Sequence, residues 1–194
     1  MNTEGLQSAE LFIRRRLEEL PAGLYYHSSA HIEDVLSASE ALSDAERISE
    51  ADRALVRIAV LYHDAGFIVQ GEEHERIGCA MVRADLPQFG FTENEIEKIC
   101  GMIQATKIPQ SPRNILEQIV CDADLDYLGR SDYDEISAKL EKEISERNPL
   151  TGEQWLQLQV SFLEQHTYFT KTAREAREKR KQEQLTALKN RLNT

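Results

Sequence analysis

Ala54-Leu55-Val56-Arg57-Ile58-Ala59-Val60-Leu61-Tyr62-His63-Asp64-Ala65-Gly66 is the stretch on which the reading of this chain turns. Its apolar residues run past the length of an ordinary strand, and Ser49-Glu50-Ala51-Asp52 has capping-box spacing just before it. The stretch therefore predicts a buried helix that ends at His63-Asp64. A buried helix has no use for two adjacent polar side chains unless something pairs with them. Both can coordinate a metal ion. Two further residues of that kind stand in apolar surroundings: His31 upstream and Asp124 in Cys121-Asp122-Ala123-Asp124-Leu125. Two imidazoles and two carboxylates make a full set of donors for one divalent cation, and the set suits zinc, manganese, iron, cobalt or nickel.

Working outward, nearly everything else also reads as helix. Leu11, Phe12, Leu17 and Leu20 recur at helical spacing until Pro21-Ala22-Gly23 stops them. Ser28 or Ser29 caps a second helix to about Ile48. A fourth is expected from about Glu73 to Leu86, and Thr92-Glu93-Asn94-Glu95 opens a fifth that ends near Thr106. Ser111-Pro112 reads as cap and first residue of a sixth helix, the one that carries Asp122 and Asp124. Ser131 and Thr151-Gly152-Glu153-Gln154 begin two more, and the last runs from about Thr170 to the end. Trp155, Leu156, Leu158, Phe162 and Leu163 form its neighbour's apolar stripe. No stretch alternates convincingly enough for a strand. The expectation is an all-α bundle in one domain, residues 1–194, with a metal-binding core at about 24–129 and a helical extension at about 131–194.

Composition narrows the function. The chain has 194 residues and a formal charge of −11, which speaks against a nucleic acid polymer as partner. Residues 171–194 hold eight Lys/Arg against three Glu, a local +5 that leaves −16 for the rest. Such a helix reads first as a solvated face of mixed charge, or else as a surface for an acidic partner or a second copy in a homodimer. Cys79, Cys100 and Cys121 are odd in number and sit among apolar residues, so buried reduced thiols and a cytoplasmic location are expected. No segment is apolar for long enough to suggest a membrane span, and none follows Arg14-Arg15-Arg16 to make a signal peptide.

The order His31, His63-Asp64, Asp124 strongly resembles the HD superfamily of metal-dependent phosphohydrolases. The matching pieces are Tyr26 to Val35, Leu61 to Gly66, and Asp122 to Leu125. The resemblance implies an HD-domain helical bundle with a C-terminal helical extension, and His31, His63, Asp64 and Asp124 as metal ligands. It implies hydrolysis of phosphomonoesters or phosphodiesters, mostly of nucleotides, by attack of metal-bound water, with a small phosphorylated substrate as partner. Glu73 to Ala80 is similar to the segment that in two-metal members supplies a His to the second ion or to phosphate, here His74. Such members have a further His one helix later. Ile103-Gln104-Ala105-Thr106-Lys107 has none, so one ion (Mn, Fe, Co, Ni, Zn or Mg) is expected rather than two.

Asp64, His74 and Lys107 are then the candidate catalytic residues, and His27, His74 and Lys107 the candidate substrate contacts. Each has a plainer reading. Lys107 also suits the C-terminal dipole of its helix. His27 is four residues before His31 but falls outside the helix if a serine caps it. Glu72, Glu73 and Glu75 read as wet surface, Asp122 as the support of a histidine or the cap of a neighbouring helix, and His166 as a core or interface residue. The alternative function is a catalytically weak or inactive module that senses a nucleotide.

Overall fold

In a computed structural model, which describes residues 3–192, the described chain is all-α. The helices are α1 (Thr3–Leu17), α2 (Ser29–Ala45), α3 (Glu50–His63), α4 (His74–Asp85), α5 (Glu93–Ala105), α6 (Ile115–Asp124), α7 (Tyr133–Arg147), α8 (Gly152–Gln165) and α9 (Lys171–Leu192). Tight 3-10 turns at Ala65–Ile68, Leu86–Phe89 and Asp126–Gly129 follow α3, α4 and α6. No helix of the described chain is long and apolar enough to cross a membrane.

Helix α3 is the axis of the bundle. Ile58 through His63 are almost wholly buried, because α1, α2, α4, α5 and α6 all lie against it. Burying aliphatic residues on every side of one helix removes much apolar surface from water, at roughly 25 cal/mol per Å². That packing holds the end of α3, and with it His63-Asp64, deep in the molecule.

Three of the helix starts follow the sequence signals. The Ser49 hydroxyl accepts from Asp52 N, and Thr92 with Glu95 and Thr151 with Gln154 form complete capping boxes. Two do not. Helix α6 starts three residues later than Ser111-Pro112 suggests, because the Asn114 side chain accepts from Leu116 N and Glu117 N. The Glu117 carboxylate accepts in turn from Arg113 N and the Asn114 amide. Helix α7 starts at Tyr133 instead of near Ser131. Asp132 stands at its cap position without a capping bond, since its carboxylate is taken by Arg130. In α8, Trp155 and Leu163 are buried, but Leu158 is 44% exposed and leaves the expected stripe.

The helices after Gly129 are tied to the rest by buried polar contacts. Asp122, fully buried, accepts from Phe169 N (2.8 Å) and Thr170 N (2.7 Å) just ahead of α9. It anchors the residues that lead into α9, while the cap is Thr170, whose Oγ1 accepts from Ala173 N. Arg177 of α9 grips both oxygens of Asp126 at 2.7 and 3.1 Å. A Cβ on Gly129 would lie 2.5 Å from the Arg177 carbonyl oxygen, so only glycine permits this approach. Several cations of the basic helix are thus satisfied within the chain: Arg177 by Asp126, Lys189 by Glu164, and Lys181, 1% exposed, by the His166 carbonyl at 2.7 Å. All three cysteines are buried and free.

Candidate metal centre

Three helices deliver the four expected donors to one point. His31 comes from the first turn of α2, His63 from the last residue of α3, Asp64 from the residue that caps α3, and Asp124 from the end of α6. One atom each of His31, His63 and Asp124 lie within 4.8 Å of one another. His31 Nε2 is 3.2 Å from Asp124 Oδ1 and 3.6 Å from Asp64 Oδ2. His63 Nε2 is 3.2 Å from Asp64 Oδ2 and 3.6 Å from Asp124 Oδ1. Ligands bound at about 2.0–2.2 Å to a common ion stand roughly 3.0–3.5 Å apart, so these donors are spaced as a shared cation requires.

The proton bookkeeping points the same way. His63 Nδ1 donates to the Val60 carbonyl at 2.7 Å, which leaves a lone pair on Nε2 when the ring is neutral. That nitrogen and Asp64 Oδ2 are both buried and neither has a hydrogen-bond partner. In the neutral ring a nitrogen lone pair would face a carboxylate oxygen at 3.2 Å, an arrangement that calls for positive charge between them, a proton or a metal ion. Burial disfavours charge on either group, yet the mutual attraction wins. The His63 pKa is raised well above its ordinary value by Asp64 and Asp124, and that of Asp64 falls far below the carboxylate range beside His63, His27 and His31. Asp124 is held at about 2, again against burial, by His31 and His63. Carboxylates that remain ionised at such depth suit a cation.

Beside these donors lies a cavity of about 150 Å³ bordered by Asp64, Asp124, His27, His74 and Glu75. The Phe67 ring packs against both the His27 and the His74 imidazoles, 4.3 Å from each, and those two rings are 6.2 Å apart. A Cβ on Gly66 would come within 2.1 Å of the His74 carbonyl oxygen, so glycine is what lets the Ala65–Ile68 turn close against the start of α4. His74 Nδ1 donates to the Gly71 carbonyl at 3.0 Å, and its Nε2 lies 3.5 Å from both Asp64 Oδ1 and Glu75 Oε1. His27 sits outside α2, with Nδ1 2.6 Å from Glu143 Oε1. Burial alone would lower the His27 pKa, but Asp64 and Glu143 outweigh it and the value is raised.

Two sequence expectations change here. Lys107 is exposed and lines the neighbouring cleft, while Thr106 and Ile108 on either side of it line the cavity. Glu75 is no wet acid: it is 6% exposed and borders the cavity, unlike the exposed Glu72 and Glu73. Its signal was periodic, for Gly78, Cys79 and Val82 follow it on the buried face of α4. Glu143, Leu140 and Phe162, which the sequence did not single out for the site, reach it from α7 and α8. His166 lies away from the donors, in a small cavity with Phe169 and Gln110.

A family model described as the HD domain matches residues 28–126, just over half of the chain. No curated protein and no solved structure was found to match it.

Proposed function

The chain belongs to the HD domain family, and from that membership we propose that it is a metal-dependent phosphohydrolase that cleaves a phosphoester of a small phosphorylated molecule, a nucleotide. His31, His63, Asp64 and Asp124 would hold one divalent ion (Mn, Fe, Co, Ni, Zn or Mg). When bound, such an ion supplies Lewis acidity, polarising a phosphoryl oxygen and lowering the pKa of the water beside it. The observation that carries the proposal is the unpartnered pair, His63 Nε2 against Asp64 Oδ2, buried at 3.2 Å.

The remaining work falls to side chains around the cavity. His27 keeps Nδ1 on Glu143 and leaves Nε2 for the substrate. Asp64 and Glu143 raise its pKa against burial, which favours a protonated ring whose Nε2–H can donate to a phosphate oxygen. His74 is oriented by the Gly71 carbonyl, so Nε2 is the atom that can take or return a proton at the reacting phosphate. Asp64 orients that nitrogen through Oδ1. Leu140, Phe162 and Tyr26 border the cavity with apolar surface and keep bulk water from the phosphate.

The test is hydrolysis of a panel of nucleoside mono-, di- and triphosphates, cyclic nucleotides and p-nitrophenyl phosphates with added Mn, Co, Ni or Mg. Wild type is expected to turn over at least one member, and Asp64→Ala none. Equal inactivity of the two proteins, with no bound ion by elemental analysis, would refute the proposal. Tight nucleotide binding without product would favour a sensing module instead.

A further inference from the structure

An open cleft of about 830 Å³ runs along the groove between α4 and α5 and is bordered by the segment before α6. It exists because small residues face each other there: Cys79 and Ala80 on α4, Cys100 and Gly101 on α5. Four cations line it, Arg76, Arg83, Lys107 and Arg113, against two acids, Glu97 and Glu117. Arg83 is engaged by Glu97 and Glu93, and Arg76 by Glu73. The Glu117 oxygens are occupied at the start of α6 by Arg113 N and the Asn114 amide.

The Lys107 ammonium and the Arg113 guanidinium have no carboxylate partner among the described residues. Other arginines of the chain, among them Arg14, Arg16, Arg53, Arg57, Arg130 and Arg177, each hold a carboxylate. The two acids of the cleft are engaged elsewhere, Glu97 by Arg83 and Glu117 by Arg113 N and the Asn114 amide. Their cleft also adjoins the metal-side cavity. Ile108 borders both, with Thr106 lining the cavity and Lys107 lining the cleft.

Resting on the phosphohydrolase reading above, we propose that this cleft is an anion subsite for a second phosphate of the substrate. The scissile phosphoester lies at the metal-side cavity and the remaining phosphate passes Ile108 to meet Lys107 and Arg113. The substrate class is therefore a nucleotide with at least two phosphate groups. Lys107 serves this second phosphate and not the reacting one.

Binding of inorganic tripolyphosphate, measured by calorimetry on the full-length chain after removal of metal with a chelator, tests the subsite without any turnover. Each charge-assisted contact to phosphate is worth about tenfold in affinity or more. Lys107→Ala/Arg113→Ala, which removes two such contacts, is accordingly expected to weaken binding by about a hundredfold. Lys171→Ala/Lys189→Ala, the same change of net charge on α9, is expected to leave it as in wild type. Absence of binding to wild type, equal binding by the cleft variant, or an equal loss in the α9 variant would each overturn the proposal. Because no metal or catalysis enters the measurement, failure of the hydrolase reading would register in the panel and not here.

Discussion

Glu143 holds His27 across 116 residues of sequence: Oε1 lies 2.6 Å from the His27 ring Nδ1, and Oε2 accepts from the backbone of both Tyr26 and His27. A buried carboxylate of α7 thereby fixes the loop that enters α2 and the metal centre. Burial would raise the Glu143 pKa, but His27 and the backbone donors hold it below its ordinary value.

Glu143→Gln keeps the shape and removes the charge. The amide can accept on one side only, so one buried donor loses its partner. A loss of about 2 kcal/mol in urea denaturation is expected, with turnover reduced and metal content unchanged. Loss of the bound ion in this variant would show that Glu143 acts on the donors themselves.

Asp122→Ala removes the acceptor of two buried backbone N–H groups ahead of α9. The expected cost is about 2–4 kcal/mol, and α9 should be the element that loosens. Hydrogen exchange checks the location: faster exchange confined to residues 166–192 fits, and uniform acceleration does not.

Gly66→Ala places a methyl carbon 2.1 Å from the His74 carbonyl oxygen, a backbone atom that cannot swing aside. The Ala65–Ile68 turn must then back away from α4. A fall in stability of about 1–3 kcal/mol is expected by thermal unfolding, together with loss of turnover as His74 moves from Asp64. A variant of wild-type stability and activity would contradict the tight closure described for this turn.

His166 gives a pH signature from a residue outside the donor set. Burial, and then the Lys181 ammonium, push its pKa down to about 4, with Glu178 and Asp124 opposing. In the unfolded chain it titrates near the ordinary 6.5. Above that pH both states are neutral there and His166 contributes nothing. As pH falls from 6.5 towards 4 the unfolded chain binds a proton that the folded one refuses, so stability drops, by up to about 3 kcal/mol, and levels off below pH 4. Urea midpoints of wild type and His166→Gln across pH 4 to 7 should diverge in this sense, and parallel curves would contradict it.

The all-α architecture was legible because capping signals and apolar spacing act locally. Ser49, Thr92 and Thr151 open helices where their sequences say so. Ser111-Pro112 misled, since the choice between Ser111 and Asn114 depends on which cap Glu117 can reinforce. His31, His63, Asp64 and Asp124 stood out as polar residues in apolar surroundings, and their convergence is a tertiary fact the spacing alone could not supply. Glu143 was illegible for the opposite reason. In Lys139-Leu140-Glu141-Lys142-Glu143 it is one acid among charged neighbours, and only the fold turns it toward His27. Lys107 and Thr106 are consecutive, yet the chain sends one to the cleft and the other to the cavity, a distinction of direction that sequence does not carry.

The most direct test of the metal centre is anomalous scattering from a crystal grown without chelator in the presence of a divalent transition metal. One strong peak is expected, bounded by His31 Nε2, His63 Nε2, Asp64 Oδ2 and Asp124 Oδ1, at about 2.0–2.2 Å from each. No peak there, with His63 Nε2 and Asp64 Oδ2 joined instead by a proton in a direct hydrogen bond, would contradict it.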